Sequence, residues 1–212
     1  MPQFTVPAQG LDVPAWFGKL PGTGDFAQRR FSPDFVEAWD NWLQTGLQNL
    51  RAERDDWLAH YLEAPMWFFA LGPEVIGPNP WVGVLMPSVD SVGRYFPLTL
   101  AIELTPNDEV SAEQALARVH HWWEQSAQAA LSALNSNMDA TQFDHSLFAI
   151  FCESFSRELS TVSISQLPSQ GMSSWLVNLG MPDAVVHTIS HLPTVAGFEV
   201  LFGYANLAMT QR

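Results

Sequence analysis

Three apolar segments separated by short, turn-rich loops constrain the fold of this 212-residue chain more than any other feature. They cover residues 66–71, 81–86 and 96–103, and each has the length and the branched or aromatic side chains typical of a strand. The loops between them contain several glycines and prolines and are too short for a crossover helix. These segments therefore predict antiparallel strands that lie next to one another.

Helix-start signals occur on both sides of these strands. Ser32 is placed to cap a helix whose apolar residues recur at helical spacing, and a second helix is predicted at residues 57–62. Ser111, with Gln114 three residues later, predicts the capping box of a long helix. With a shorter helix or helix-strand element at 140–153, the elements indicate an α/β protein.

The two ends of the chain are less regular. We expect residues 1–12 to be a flexible tail and residues 13–212 to form a single domain, because no linker or repeat divides them. The remaining predictions are strands at residues 14–20, 161–164 and 173–177, and short helices at residues 182–190 and 194–202.

The charge of the chain limits its partners. The formal net charge is −13, so a phosphate backbone would be repelled and nucleic acid is not an expected partner. No apolar run approaches the roughly 20 residues of a membrane span, and no secretory signal precedes the first strand. The single cysteine, Cys152, excludes an internal disulfide. We therefore expect a cytoplasmic protein without a membrane span.

The few cations are unevenly placed. Lys19, Arg29, Arg30 and Arg94 are four of only nine basic residues, and all four lie in two loop-like segments. A cationic spot on an acidic body would attract an anionic group or an acidic partner. Alternatively, these cations form structural pairs with nearby aspartates.

Catalytic and metal motifs are weak. Lys19 precedes the glycines of its turn, whereas a P-loop lysine follows them, and no G-x-S-x-G elbow is present. Asp183, His187 and His191 would share one face of a helix, but an exposed polar face is the simpler interpretation. We expect no catalytic residue, no metal ligand and no cofactor.

Two blocks of sequence carry a family resemblance. Residues 16–26 read Trp-Phe-Gly-Lys-Leu-Pro-Gly-Thr-Gly-Asp-Phe, residues 39–44 read Trp-Asp-Asn-Trp-Leu-Gln, and residues 64–69 read Ala-Pro-Met-Trp-Phe-Phe. Residues 86–90 read Met-Pro-Ser-Val-Asp, and residues 93–99 read Gly-Arg-Tyr-Phe-Pro-Leu-Thr. In this order, these motifs resemble the N-terminal signature of the TagF (ImpM) family.

The resemblance implies a fold and a role. The fold is a three-layer α-β-α sandwich around a mixed, partly antiparallel sheet. The role is that of a cytoplasmic, non-catalytic accessory protein of a bacterial type VI secretion system that restrains secretion after translation by protein–protein binding. Its partners would be type VI secretion components, among them the forkhead-associated scaffold protein of the threonine-phosphorylation branch.

Two alternatives stay open, namely a structural or assembly component of the apparatus and an enzyme with a pocket between the motif loops. The motif loops supply the candidate binding residues. These are Lys19, Gly24, Asp25, Arg29, Asp90, Arg94 and Tyr95. We expect the two blocks to meet, with Lys19 or Arg29 within about 10 Å, one Debye length, of Asp90 or Arg94.

Overall fold

A computed structural model describes residues 4–5, 13–106, 110–152, 164–181 and 184–204. Within these ranges the chain forms five helices and nine strands. In chain order, the elements are β1 (Phe4–Thr5), β2 (Ala15–Gly18), β3 (Ala27–Arg29), α1 (Pro33–Glu53), α2 (Trp57–Glu63), β4 (Trp67–Leu71), β5 (Trp81–Met86), β6 (Leu98–Glu103), β7 (Thr105–Pro106), α3 (Ala112–Asn135), α4 (Ala140–Cys152), β8 (Met172–Leu176), β9 (Val186–Ser190) and α5 (Val195–Leu201).

Seven strands form one sheet in the order β3-β2-β6-β5-β4-β8-β9, and β1 pairs with β7 separately. The predicted neighbours β4, β5 and β6 are adjacent, with Phe69 opposite Gly83 and Gly83 opposite Ala101. Every described pair is antiparallel, so the expectation of a mixed sheet is wrong. The reason is that the helical connections join strands that are not neighbours, so they create no parallel pair.

Helices pack against both faces of the large sheet. Along β4, Phe68 and Ala70 belong to the core shared with α3 and α4, whereas Trp67, Phe69 and Leu71 belong to the core shared with α1, α2 and α5. All five residues are buried, as expected for a strand covered on both faces.

The helix caps predicted from the sequence are confirmed. The Phe35 N–H donates to Ser32 Oγ over 3.3 Å at the start of α1. At the start of α3, Ser111 Oγ accepts from the Gln114 N–H, and Gln114 Oε1 accepts from the Ser111 N–H. Such caps satisfy the amide groups that the first turn of a helix leaves without backbone partners.

The C-terminal region corrects one prediction and confirms two. Residues 186–190 form strand β9 instead of a helix, and their exposure alternates along the strand. Ile189 packs into the core beneath α1, so burial against β8 outweighs any helical spacing in this short segment. The predicted strand at 173–177 and helix at 194–202 are confirmed as β8 and α5.

Other expectations fall partly outside the described residues. Residues 161–163, most of a predicted strand, and Asp183 lie there. Phe4–Thr5, within the predicted tail, pairs with β7, while residues 1–3 and 6–12 lie outside the described part. The division into a tail and one domain therefore stays a prediction. Among the described helices, none has the length and apolar character needed to cross a membrane.

Candidate functional site

The two motif loops meet at one end of the large sheet. The first motif loop, residues 19–26, connects β2 to β3, and the second motif loop, residues 87–97, connects β5 to β6. Lys19 Nζ lies 2.6 Å from Asp90 Oδ2, and both side chains are buried. The expected proximity of the two blocks is therefore confirmed, and the alternative that the cations form structural pairs holds for Lys19.

Asp90 organises the second motif loop. Its Oδ1 accepts from the backbone N–H groups of Val92 and Arg94, over 3.1 and 2.8 Å. Its Oδ2 accepts from Lys19 Nζ and from Arg94 Nε, over 2.6 and 2.7 Å. Four donors thus occupy the carboxylate, which leaves it little capacity to act as a base or a metal ligand.

These contacts also determine the protonation of Asp90. Burial alone would raise its pKa, because a carboxylate loses hydration when it leaves water. The hydrogen bonds from Lys19, Arg94 and Val92 outweigh burial and hold the pKa of Asp90 well below its ordinary value. The carboxylate is therefore ionised throughout the physiological range and pairs with both cations.

Backbone contacts join the two motif loops. Ser88 Oγ donates to the Lys19 carbonyl over 2.6 Å, and the Ser91 N–H donates to the Thr23 carbonyl over 3.1 Å. The buried Tyr61 hydroxyl donates to the Ser88 carbonyl and accepts from the Ser88 N–H. Ser88 and Tyr61 support the site, although the sequence analysis did not single them out.

The first motif loop is also attached to the turn between α3 and α4. The Gly22 N–H donates to the Met138 carbonyl, and Thr23 Oγ1 accepts from the Ala140 N–H. A Cβ atom at Gly22 would lie 2.5 Å from the Asn137 carbonyl oxygen, so only glycine allows this approach. The loop is therefore held from both sides.

Arg94 lies at the rim of the site. Its guanidinium bonds to Asp90 and to the Gly24 carbonyl, and it lies 3.9 Å from Asp25. The Arg94 side chain is 54% exposed and that of Asp25 is 80% exposed. A buried Asp25–Arg94 pair, the structural alternative for these two residues, is therefore not present.

Two predicted site residues lie apart from this cluster. Arg29 is on strand β3, where its guanidinium lies over the Trp16 ring and donates to the Gln28 carbonyl. The Tyr95 ring packs against Trp57 and Tyr61, so it supports the second motif loop from below. The structure thus joins Lys19, Gly24, Asp25, Asp90 and Arg94, and it separates Arg29 and the Tyr95 ring from them.

An exposed apolar patch lies on top of the joined loops. Phe26 is 46% exposed and Val92 is 67% exposed, although both are apolar. The inner side of the Phe26 ring contacts Phe17, Phe96 and Lys19 Nζ. We call residues 24–26 and 91–94 the motif surface. Sequence patterns did not predict this patch, since an apolar residue in a motif is ordinarily assigned to the core.

The histidine candidates do not form a metal site with each other. His187 lies on β9 and His191 follows it, so the helical face that would have joined them is absent. Among the described residues there is no group of three or more histidine, cysteine, aspartate or glutamate side chains placed to hold a metal ion.

Known proteins match this chain over most of its length. Residues 15–150 match the family described as "TagF N-terminal domain, Type VI secretion system-associated". The crystal structure of PA0076 from Pseudomonas aeruginosa PAO1 superposes with a TM-score of 0.70 at 29% sequence identity, covering 92% of this chain and 96% of that one. No curated protein shows a significant sequence match.

Proposed function

This chain belongs to the TagF N-terminal domain family of type VI secretion system-associated proteins, and we propose that it is a non-catalytic regulator that restrains secretion by binding a component of that system. The motif surface is the proposed binding site. The proposal rests on one observation above all, which is that two apolar side chains and Arg94 are exposed on loops that buried contacts hold in place.

The composition of the motif surface favours protein binding. Aromatic residues and arginine are enriched at protein interfaces, and binding residues concentrate on loops that a rigid scaffold positions. Phe26 and Val92 supply apolar area, and Arg94 supplies a guanidinium that is 54% exposed and bonds to the Gly24 carbonyl. Asp90 holds the loop in place, so little conformational entropy would be lost on binding.

The polar groups of the site favour binding over catalysis. A catalytic constellation needs a nucleophile or base with a lone pair that can reach a substrate. Asp90 accepts from four donors, and the Lys19 side chain is 4% exposed and paired with it. We therefore propose that the buried polar groups of these loops are structural and that the exposed side chains do the binding.

The proposed partner is a type VI secretion component in the cytoplasm. The forkhead-associated scaffold protein is our first candidate, because members of the TagF family, which the motifs of this chain resemble, are linked to the threonine-phosphorylation branch. The motif surface suits a protein better than a free anion, because Lys19 and Arg94 already face Asp90 and Asp25. The second candidate function is a structural role in the apparatus, with sheath or baseplate proteins as partners. The identity of the recovered partner would distinguish this role from regulation.

The experiment compares two matched variants, Val92→Asp and Val195→Asp. Val92 lies on the motif surface, whereas Val195 is 50% exposed on α5. In cells that carry the secretion system, tagged wild type and Val195→Asp should recover the scaffold protein and restrain secretion. Val92→Asp should lose both. Equal recovery by the two variants would contradict the motif surface as the binding site, and recovery of sheath or baseplate parts would favour the structural role.

A further inference from the structure

Strand β9 leaves one side of its backbone without a strand partner among the described residues. It is the last strand in the sheet order, and its described neighbour is β8. The His191 N–H donates to the Gly171 carbonyl, which extends the β8–β9 ladder by one residue pair. Because bonding residues alternate in an antiparallel ladder, Val186, Thr188 and Ser190 direct their N–H and carbonyl groups away from β8.

The edge lacks the charged residues that usually protect such strands. Between residues 164 and 198 the sequence contains one charged side chain, Asp183, although the whole chain has 22 carboxylates. The opposite edge, β3, is three residues long and carries Arg29, with Arg30 directly after it. Charges and short length are devices by which proteins prevent strand pairing at an edge, and β9 has neither charge nor a proline.

Exposed apolar side chains lie beside this edge. Val186, in the strand, is 38% exposed, and Val185, directly before it, is 53% exposed. If another strand paired with β9, these side chains would become buried, in addition to the backbone hydrogen bonds that form between the two strands. A strand added here would therefore gain both contributions.

We propose that β9 pairs with β9 of a second copy of this chain, antiparallel and about a two-fold axis through Thr188. This register places Val186 opposite Ser190 of the second copy and matches all outward-directed backbone groups. The two seven-stranded sheets would then form one continuous sheet across the dimer.

Charge favours a second copy as the occupant. Each chain has a net charge of −13, so two copies repel each other over most of their surfaces. They can approach most closely where carboxylates are few, and the sequence segment that contains β9, residues 164–198, has one, Asp183. A basic partner would instead be attracted to the carboxylate-rich surfaces, and it would gain no electrostatic advantage at this edge.

The mass of the purified full-length chain tests the dimer. Sedimentation equilibrium from about 1 µM to about 100 µM should show a monomer–dimer equilibrium that shifts toward the dimer as concentration rises. Thr188→Lys places like charges opposite each other at the axis and should weaken the dimer at least about tenfold. Gln28→Lys, on the opposite edge, is the matched control and should leave the equilibrium unchanged.

Cross-linking tests the register. In a Cys152→Ser background, Thr188→Cys should form a disulfide-linked dimer under mild oxidation, because paired Cα atoms lie about 5.5 Å apart. Ser190→Cys should not, since its two copies would be roughly 13 Å apart along the strands at about 3.3 Å per residue. A monomer at all concentrations, a dimer unaffected by Thr188→Lys, or cross-linking through Ser190→Cys would each overturn the proposal.

Discussion

The motif loops, where strands β2 and β5 finish, are held by charged and polar side chains, and we call this region the polar end. Strands β8 and β9, at one edge of the seven-stranded sheet, are held by aromatic rings, and we call this region the aromatic end. Lys19, Asp90 and Arg94 form the first arrangement, with all four bonding positions of the carboxylate occupied. Trp175 is the centre of the second, with its ring 5.3 Å from that of Phe69 and 5.6 Å from that of Trp42.

The difference shows two ways of positioning a surface. Buried polar groups stabilise a single loop geometry, because any displacement leaves a charge without its partner. Aromatic packing stabilises β8 without charged groups, and β9, the edge strand next to β8, also carries no Asp, Glu, Lys or Arg. The polar end exposes the side chains of the motif surface, and the aromatic end exposes the outward-directed N–H and carbonyl groups of β9.

The largest effect is expected from Trp175→Ala at the aromatic end. Trp175 is 1% exposed, and removing its ring should lower the free energy of unfolding by about 4 kcal/mol through lost burial and a residual cavity. Urea unfolding followed by circular dichroism measures this, with Trp175→Phe as the milder control. A loss below about 1 kcal/mol would show that the rings do not hold this end.

Lys19→Met should have the next largest effect, at the polar end. Removing one partner of a buried pair costs about 3 kcal/mol or more, and methionine keeps most of the volume. Arg51→Met is the control, because Arg51 is an exposed cation whose hydrogen bond to the second motif loop, to the Tyr95 carbonyl, is also exposed. Equal unfolding midpoints for the two variants would show that the Lys19–Asp90 pair contributes little to the free energy of unfolding.

Acid should weaken the polar end selectively. The pKa of Asp90 is lowered from its ordinary value of 3.8, so its ionised form stabilises the fold above that pH. This contribution is lost as the pH falls below about 4 toward the pKa of the folded state. Wild type should therefore lose more stability between pH 5 and pH 3 than Asp90→Asn, measured by urea unfolding. Parallel losses would show that other carboxylates dominate acid unfolding.

The smallest effect is expected for Asp25→Ala. Its carboxylate is 80% exposed and lies 3.9 Å from Arg94, and exposed pairs of this kind contribute at most about 1 kcal/mol. Thermal unfolding should thus be near that of wild type. A shift comparable to that of Lys19→Met would mean that the exposed rim, as well as the buried pair, holds the loops together.

Local signals in the sequence predicted much of the first half of the fold. Ser32 and Ser111 are correct helix caps, and the three apolar segments became β4, β5 and β6. Such signals act within a few residues, so they survive in the folded protein. The meeting of Lys19 and Asp90 was also predicted, from the scarcity of cations and the loop-like character of both blocks.

Non-local pairing explains the errors. Residues 186–190 were predicted to be helical, but pairing with β8 and the burial of Ile189 made them a strand. Strand β3 was not predicted, because its three residues carry little strand signal and their pairing with β2 arises across a turn. Strand preference depends on neighbouring strands more than helix preference does, so short C-terminal and edge strands are difficult to assign.

The sequence by itself determined the helix caps, the central strands, the acidic character and the family motifs, since each depends on residue type and short-range spacing. Only the tertiary structure decided which motif residues are buried and which are displayed. Lys19 and Arg94 are both cations of the same motif pair, yet one is 4% and the other 54% exposed. Their exposure follows from the packing of distant loops around Asp90, because burial is a property of the folded neighbourhood and not of the residue.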